Sequence, residues 1–358
     1  MDNRMLNLGF SESLIQEASL FPDMFLGRVI AQYKDMYRVA TQENEILAEV
    51  SGKLRFSSDD SLDFPAVGDF VLLDRRDNQH GNAIITQILK RKSLFVRRAA
   101  GTSHSVQAVA ANIDIAFLCM SLNNDFNLRR LERYLSVAWD SGASPVIVLT
   151  KADLCEDLSS KLSEIDKVAA GVELVVTSSM TEDGYKSILK YVVPGQTIAF
   201  MGSSGVGKSS LINRLLGEDA LVTREIRKDD KGRHATTNRE LFLIPFGGAV
   251  IDTPGMRELG VESVNLSKTF SDIEEFAEQC RFKDCRHDSE PGCAVLRAIE
   301  TGQLDKERLA SYKKLKKEAK YEGLNSKQIE KEKIDTMFSG FDGIKNARAY
   351  VKSKNSYK

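Results

Sequence analysis

The stretch GSSGVGKSS at residues 202–210 has the composition and spacing of a phosphate-binding loop. In the pattern G-x-x-x-x-G-K-S, backbone N–H groups surround the phosphates, Lys208 contacts the outer phosphates and Ser209 offers Mg²⁺ a hydroxyl. The apolar run TIAFM before it and the helical pattern of leucines after it supply the required strand and helix, which argues against a chance Gly/Ser-rich loop. The predicted nucleotide-binding residues here are Gly202, Ser203, Ser204, Gly205, Val206, Gly207, Lys208, Ser209 and Ser210.

A second motif, TKAD, follows the apolar run PVIVL and comprises Thr150, Lys151, Ala152 and Asp153. The carboxylate of Asp153 can accept hydrogen bonds from the N1–H and the exocyclic amine of guanine, and adenine presents no such pair of donors. The stem of Lys151 can lie along the base. Thr150 stands where Asn is commoner. The motif predicts GTP and GDP, rather than ATP, as ligands.

Another strand-like run, VELVVTSS, ends at Ser178 and Ser179. Backbone N–H groups at this position suit the oxygen of guanine. By itself the Ser/Thr run is more typical of an ordinary loop, but its place one strand after TKAD favours a second base-binding loop.

The sequence DTPG at 252–255 follows the apolar run LFLIPFGGAVI. Asp252 can hold a Mg²⁺-bound water there, and the N–H of Gly255 can meet a γ-phosphate. An ordinary turn is the alternative, since Pro and Gly occur in turns of every kind. The apolar strand before it favours the magnesium site.

The segment KGRHATTNRE after the phosphate loop is the candidate switch, at about residues 232–237. Thr236 is the predicted second protein ligand of Mg²⁺, with Thr237 as the alternative. Many GTPases place a Gln after the DxxG glycine, but Met256 stands here and cannot orient water. His234 is therefore the candidate catalytic group that polarises water, the alternative being an exposed loop histidine without a role.

These motifs occur in the order base loop, second base loop, phosphate loop, switch and DxxG. An ordinary GTPase begins at the phosphate loop and ends with the base loops. The rotated order predicts a circularly permuted domain, which is tolerated where the original termini lie close together. The competing hypothesis is a P-loop kinase or another nucleotide-dependent enzyme acting on a small molecule, but no lid signature is visible and a kinase has no need of a guanine-binding loop.

A Cys/His cluster follows in CRFKDCRHDSEPGC, with Cys280, Cys285, His287 and Cys293 as candidate ligands. Three thiolates and one imidazole complete a tetrahedral Zn²⁺ site with no position left for water, which is typical of a structural site. Buried free cysteines beside a surface histidine are the alternative, and the close spacing argues against it.

The whole chain is 358 residues long with 42% hydrophobic residues, enough for two or three domains. It has no apolar run of membrane-spanning length and no signal-peptide pattern, which predicts a soluble cytoplasmic protein. Its net charge is −1, yet residues 306–358 hold fifteen Lys/Arg against seven Asp/Glu, a local +8. That tail suits nucleic acid or is simply a solvated helix.

Short runs rich in β-formers at residues 25–98, among them ILAEVSGKLRF, predict a small closed barrel, either an oligonucleotide-binding (OB) fold or an SH3-like one. The basic run at 90–98 suits a nucleic-acid surface or a solvated strand edge. Residues 99–112 are predicted to be a linker. The helix that follows has an apolar stripe that should pack on the sheet, and Trp139 is expected in the core.

The rotated motif order, KGRHATT at 231–237 and the Cys/His cluster resemble the circularly permuted, ribosome small-subunit-dependent GTPases of the RsgA family. The resemblance covers about residues 25–320, although Ala235 stands where a further Thr is expected. It implies an OB barrel, a structural zinc, and binding to the small ribosomal subunit and its rRNA in the GTP state. Release then follows subunit-stimulated hydrolysis by an intrinsically slow enzyme.

The predicted fold class is an α/β circularly permuted P-loop GTPase core with an N-terminal OB-type β-barrel and a C-terminal, mainly helical, zinc-binding domain. We expect a monomer without membrane contact. The predicted boundaries are an N-terminal extension at 1–24, the barrel at 25–100, the GTPase domain at 101–265 and the C-terminal domain at 266–358.

Overall fold

A computed structural model describes residues 3–34, 36–57, 61–98, 106–123, 125–181, 184–217, 239–252 and 266–320. Within these ranges, residues 3–111 contain, besides a short 3₁₀ helix (Ser61–Asp63), three α-helices and seven strands. They are α1 (Asn3–Asn7), α2 (Glu12–Ser19), β1 (Phe25–Gln32), β2 (Tyr37–Ala40), β3 (Glu45–Val50), α3 (Gly52–Ser57), β4 (Phe70–Leu73), β5 (Ala83–Ile88), β6 (Leu94–Arg98) and β7 (Val106–Ala111).

Strands β1 to β5 close into a barrel in the order β1-β2-β3-β5-β4, and β4 pairs back with β1. The β3–β5 pair is parallel and the other pairs are antiparallel. Closure leaves no free edge within the barrel. The predicted small closed barrel of OB type is confirmed, and it has five strands. The segment GKLRF was wrongly included among strand-like runs, because it forms α3, whose first turn is capped by the Ser51 hydroxyl accepting from the N–H of Leu54 at 3.1 Å.

The prediction of a linker at 99–112 is wrong for its second half. Residues 106–111 form β7, which pairs antiparallel with β6, while residues 99–105 lie outside the described ranges. The strand VQAVAA contains three alanines, which have low β-propensity, so the sequence signal was weak. Burial of residues 108–111 stabilises the strand in its place.

The described residues between 115 and 252 form an α/β unit. Its elements are β8 (Ile115–Ser121), α4 (Leu128–Ser141), β9 (Ser144–Thr150), α5 (Leu158–Ala169), β10 (Leu174–Val176), β11 (Thr197–Met201), α6 (Lys208–Leu216), β12 (Arg239–Leu243) and β13 (Ala249–Asp252). The strand order is β10-β9-β8-β11-β13-β12, with β12 antiparallel and the others parallel. Strands β8 and β11 are buried along their whole length, as expected for parallel strands covered on both faces.

Helix α4 packs on this sheet through the predicted stripe, since Leu131, Leu135 and Ala138 are buried. Trp139 is half-buried rather than in the core. Its ring lies at the helix surface, with the Lys268 ammonium 5.1 Å from its centroid. The side chain therefore occupies the junction with the C-terminal region instead of the sheet interface.

The C-terminal region is helical, as predicted. It comprises α7 (Leu266–Thr269), α8 (Ser271–Ala277), α9 (Ala294–Glu300) and α10 (Lys306–Lys320). These helices share a small core that includes Phe270, Ile273, Val295 and Tyr312. No described helix has the length and apolarity needed to cross a membrane.

Buried arginines join the three regions. Arg28 in β1 donates to the Leu8 carbonyl at 2.7 Å and to the Thr197 hydroxyl at 2.8 Å, which links the N-terminal helices, the barrel and the α/β sheet. Arg308 in α10 donates to Glu132 of α4 at 2.9 Å and to Asp272 of α8 at 2.7 Å. Strand β1 also pairs with β12, so the barrel and the α/β sheet form one continuous sheet.

Candidate functional site

The phosphate loop and both base loops meet at one edge of the α/β sheet. Parallel strands β9, β10 and β11 end at Thr150, Val176 and Met201. The loops that leave parallel strands at their carboxyl ends lie together, which is where open α/β sheets bind ligands. The fold therefore brings together the sequence motifs of residues 150–153, 177–179 and 202–209.

The phosphate loop turns closely over strand β8. A Cβ added at Gly202 would lie 2.6 Å from the Cys119 carbonyl oxygen, so a side chain there would force the loop away. The Lys208 ammonium donates to the carbonyls of Gly202 at 2.8 Å and Ser203 at 2.7 Å. Its positive charge is thus held over the loop where outer phosphates bind.

Thr150 joins the base loop to the phosphate loop. Its buried hydroxyl donates to the Val206 carbonyl at 2.6 Å. Lys151, the next residue, has a left-handed backbone with φ of 57°, uncommon for a residue with a side chain. Such strain persists where surrounding contacts fix the backbone, and it is concentrated at functional sites.

Asp153 is oriented by the second base loop. Its carboxylate accepts from the Ser178 hydroxyl at 2.5 Å, and the Ala152 N–H donates to the Thr177 carbonyl at 3.2 Å. The sequence predicted a backbone role for this loop, and the structure adds that the side chain of Ser178 orients the carboxylate of Asp153. Ser179 lies next to it and is half-buried.

Asp252 ends β13, on the far side of the phosphate loop from the base loops. Burial raises the pKa of its carboxyl, and the nearby positive charge of Lys208 opposes this rise. A bound cation would favour the carboxylate further. Ser209 lies in the first turn of α6. Both residues suit the predicted Mg²⁺ site.

Asp125 is a site residue that the sequence analysis missed. The Ser203 hydroxyl donates to its carboxylate at 2.5 Å, and Arg130 pairs with it at 2.8 Å. Partial burial raises the pKa of Asp125, but these two partners and Lys151 outweigh burial and lower the pKa. The polar run NND at residues 123–125, shortly after the buried strand β8, was the available signal.

Four of the predicted site residues lie outside the described ranges. They are the catalytic candidate His234, the magnesium ligand candidates Thr236 and Thr237, and Gly255. Their roles stay predictions from the sequence.

The basic run at 90–98 does not form one open face. Arg91 pairs with the fully buried Asp69 at 2.7 Å and donates to the Leu62 carbonyl at 2.6 Å. Arg97 donates to Gln107. Arg91 therefore stabilises the barrel and is not free to contact a nucleic acid.

The four ligand candidates of the Cys/His cluster converge between α8 and α9. All four ligand atoms lie within 4.8 Å of one another. The Cys280 Sγ–Cys293 Sγ distance is 3.8 Å, and the His287 Nδ1 lies 3.7 Å from Cys280 Sγ and 3.4 Å from Cys293 Sγ. A tetrahedron with Zn–S bonds of about 2.3 Å has edges of roughly this length. The donor set and its spacing fit zinc.

The backbone around the cluster favours the thiolate of Cys280, whereas burial and the neighbouring thiols of Cys293 and Cys280 raise the pKa of Cys285 to about 11. The Ala294 N–H donates to Cys280 Sγ at 3.4 Å, and the Leu296 N–H donates to Cys293 Sγ at 3.4 Å. Burial raises the pKa of Cys280, but donation from backbone N–H groups outweighs burial and lowers the pKa. Thiolate is the form that binds metal.

Comparisons with known proteins agree with this geometry. The family described as RsgA GTPase matches residues 88–262. "Small ribosomal subunit biogenesis GTPase RsgA 2" of Lactiplantibacillus plantarum is 49% identical over 350 residues, which are 97% of this chain and 98% of the relative. "Small ribosomal subunit biogenesis GTPase RsgA" of Methanosarcina acetivorans is 42% identical over 92% of this chain and 90% of its own length.

Two solved structures resemble the fold over 83% of this chain. YjeQ from Thermotoga maritima has a TM-score of 0.61 and 28% identity, with 98% of its chain covered. YloQ, described as a circularly permuted GTPase, has a TM-score of 0.58 and 27% identity, with 95% covered. A solved structure described as a circularly permuted GTPase therefore shares the fold of this chain, in agreement with the rotated order of its motifs.

Proposed function

Because this chain belongs to the RsgA GTPase family, we propose that it hydrolyses GTP during late maturation of the small ribosomal subunit. One observation carries this proposal: the base loop and the phosphate loop lie side by side. Ser178 orients the carboxylate of Asp153 in the base loop, and Thr150 of the same loop donates a hydrogen bond to the phosphate loop. A guanine-recognising carboxylate has no purpose in the alternative, a P-loop kinase, which is not favoured.

Membership of the family implies GTP and GDP as ligands and the use of Mg²⁺. Ser209 and Thr236, or Thr237 in its place, would hold the ion directly, and Asp252 would hold one of its waters. The ion neutralises phosphate charge. Lys208 contacts the outer phosphates, and the N–H groups of the loop bind the remaining phosphate oxygens.

Hydrolysis requires that a water be oriented towards the γ-phosphate, and His234 is the proposed group. Met256 stands after the DxxG glycine and cannot hold water. We expect slow turnover by the free protein, on the order of the 10⁻⁴–10⁻³ per second of an unassisted GTPase. Contact with the subunit would then position His234 and raise the rate.

The proposed partner is the small ribosomal subunit, which the names of the relatives support, together with its rRNA, which the family resemblance implies. The barrel and the C-terminal region would contact the subunit in the GTP state, and cleavage of GTP would release the protein. Such a factor would act as a monomer in the cytoplasm, where subunits mature.

The Cys/His cluster would hold one structural zinc ion through Cys280, Cys285, His287 and Cys293. The four residues fill all four positions of a tetrahedral ion, so no open position is left for substrate or water. The ion would fix the segment between α8 and α9 and take no part in hydrolysis.

Single-turnover hydrolysis with and without purified small subunits tests this proposal. The variant His234→Ala should bind GTP and subunits like the parent but lose most of the subunit-stimulated rate. His80→Ala, which changes an exposed histidine of the barrel, is the matched control and should keep full stimulation. If the parent is not stimulated by subunits, the proposed function is wrong; if His234→Ala is stimulated fully, another group orients the water.

A further inference from the structure

The phosphate loop is fastened to its surroundings near both of its ends. Near its end, the Val206 carbonyl accepts from the Thr150 hydroxyl of the base loop at 2.6 Å. Near its beginning, the Ser203 hydroxyl donates to the Asp125 carboxylate at 2.5 Å. Residues 204–205 lie between these two points and are exposed. The conformation of the loop therefore depends on two side chains that belong to other segments of the chain.

Asp125 is itself held by the segment that joins β8 to α4. Its backbone N–H donates to the Asn123 Oδ1 at 3.1 Å, and the same oxygen accepts from the Ser121 hydroxyl at 2.8 Å. On its other side, the Asp125 carboxylate pairs with Arg130, in the first turn of α4, at 2.8 Å. The carboxylate is thus fixed to both the end of the strand and the beginning of the helix.

The negative charge of Asp125 is compensated by two cations. A carboxylate beside a phosphate site repels phosphates if its charge is left uncompensated. Partial burial raises the pKa of Asp125, but the Ser203 hydroxyl, the Arg130 guanidinium and the charge of Lys151 together lower it. The carboxylate therefore stays ionised and is a strong acceptor, while the two cations offset its repulsion of phosphates.

Ser203 connects this carboxylate to the phosphate-binding lysine. The Lys208 ammonium donates to the Ser203 carbonyl at 2.7 Å and to the neighbouring Gly202 carbonyl at 2.8 Å. Rotation of the peptide group that follows Ser203 would remove one of these two acceptors. Because Asp125 holds the hydroxyl of the same residue, it also restrains the carbonyl that directs Lys208.

We propose that Asp125 is a positioning residue for nucleotide binding, which holds Ser203 and so keeps the phosphate loop and Lys208 in the form that accepts phosphates. Asp125 acts through Ser203 rather than by contact with the phosphates. The inference rests on the proposed function, because it takes a guanine nucleotide as the ligand of the loop. A site that is competent for only part of the time binds with an affinity reduced by that fraction. Loss of the hydrogen bond should therefore slow association with the nucleotide and leave dissociation nearly unchanged.

Asp125→Ala tests this role in the full-length protein. Stopped-flow measurements with GDP that carries a fluorescent N-methylanthraniloyl group should show association about tenfold slower and dissociation within about twofold of the parent. Asp125→Asn keeps an acceptor oxygen and should recover most of the association rate. Asp166→Ala removes an exposed carboxylate from α5 of the same α/β unit and should behave as the parent does.

A double-mutant cycle separates positioning from a merely structural role. Ser203→Ala removes the donor, keeps the backbone N–H groups of the loop and should slow association as much as Asp125→Ala does. The double variant should be no slower than the slower single variant, because both substitutions break the same hydrogen bond. A role of Asp125 through α4 predicts the reverse, with association slowed by Arg130→Gln and unchanged by Ser203→Ala.

Several outcomes would overturn the positioning role. They are an unchanged association rate in Asp125→Ala, faster association because a repulsive charge has been removed, and additive losses in the double variant. Should Asp125→Ala fail to fold, Ser203→Ala alone decides, and the parent's association rate in that variant contradicts the role. A parent that binds neither GDP nor GTP contradicts the proposed function, whereas a parent that binds them without coupling between Asp125 and Ser203 contradicts only this inference.

Discussion

The nucleotide site and the Cys/His cluster are held in shape by different forces. The loops of the nucleotide site leave the ends of buried parallel strands and are fastened to each other by the Thr150–Val206 and Asp153–Ser178 hydrogen bonds. The ligands of the cluster lie on an irregular segment around residues 280–293, with only a small helical core beneath it. One site is preorganised by the sheet, and the other has the donor set of a zinc site and, under the proposed function, would depend on that ion.

This difference predicts which property of the protein each kind of substitution should alter. Loss of the metal should loosen the C-terminal region and spare nucleotide affinity. Changes in the base loop should alter nucleotide choice and spare the fold. The contact between α4 and α10 is the place where the two regions depend on each other.

Removal of zinc is expected to have the largest effect. Structural zinc contributes roughly 10–16 kcal/mol of apparent folding free energy to zinc-finger peptides. Cys285→Ser should therefore lower zinc content well below one ion per chain and expose residues 266–320 to proteolysis, while GTP affinity changes less than about twofold. Atomic absorption and limited proteolysis measure both. Cys155→Ser, outside the cluster, should keep its zinc, and an undiminished zinc content in Cys285→Ser would contradict the metal site.

The second largest effect is expected from breaking the Arg308 ion pairs, which join the C-terminal region to α4. Arg308 is 5% exposed and pairs with Glu132, which is fully buried, and with Asp272. Arg308→Met removes the partner of Asp272 and leaves Glu132 paired with Arg129 alone among the described residues, and breaking a buried pair of this kind costs up to about 3–5 kcal/mol. Urea unfolding followed by Trp139, the only tryptophan and a residue at this junction, should report the loss.

Arg133→Met is the matched control for that experiment. Arg133 pairs with Glu318 across the same junction, but both side chains are 33% exposed. An exposed pair contributes about 0–1 kcal/mol. Equal destabilisation by the two variants would show that burial does not decide the strength of this junction.

Asp153→Asn tests the base loop with a smaller effect. Loss of the charged acceptor should weaken GTP binding about 10- to 100-fold, because hydrogen bonds to charged groups contribute about 1.5–3 kcal/mol. Xanthosine triphosphate should bind better than before, since the new amide can donate to the keto oxygen that replaces the amine of guanine. Competition binding measures both, and Asp157→Asn, which keeps the cap of α5 and removes the same charge, should leave selectivity unchanged.

Thr150→Val should have the smallest effect. The variant keeps the shape but loses the hydrogen bond to the Val206 carbonyl, at a cost of about 1 kcal/mol. GTP affinity should fall about fivefold. Thr150→Ser retains the hydroxyl and should bind as the parent does. Identical affinity in Thr150→Val would mean that the two loops are held together by other contacts.

The sequence predicted the parts of the fold that follow from local patterns. The phosphate loop and TKAD lie at strand ends because apolar runs precede them, and the Cys/His spacing alone located the metal cluster. The carboxylate of Asp125 and the hydroxyl of Ser178 could not be placed, because their partners are 78 and 25 residues away in sequence. Such contacts arise only when the strands come together.

Two errors have similar physical causes. The alanine-rich β7 has low intrinsic strand propensity and exists because β6 pairs with it. In the basic run at 90–98, the sequence does not distinguish Arg91 from its basic neighbours. Arg91 nevertheless forms an ion pair with the buried carboxylate of Asp69 inside the barrel. Tertiary packing determines both the strand β7 and the ion pair of Arg91, and the local sequence pattern indicates neither.

Co-sedimentation with purified small ribosomal subunits tests the central claim most directly. The full-length protein would be mixed with subunits in GTP, in GDP and in a non-hydrolysable GTP analogue. We predict strong binding with the analogue, weak binding with GDP, and binding in GTP that declines as the nucleotide is cleaved. Equal binding in all three states, or none in any, would contradict a GTPase whose nucleotide state governs its residence on the subunit.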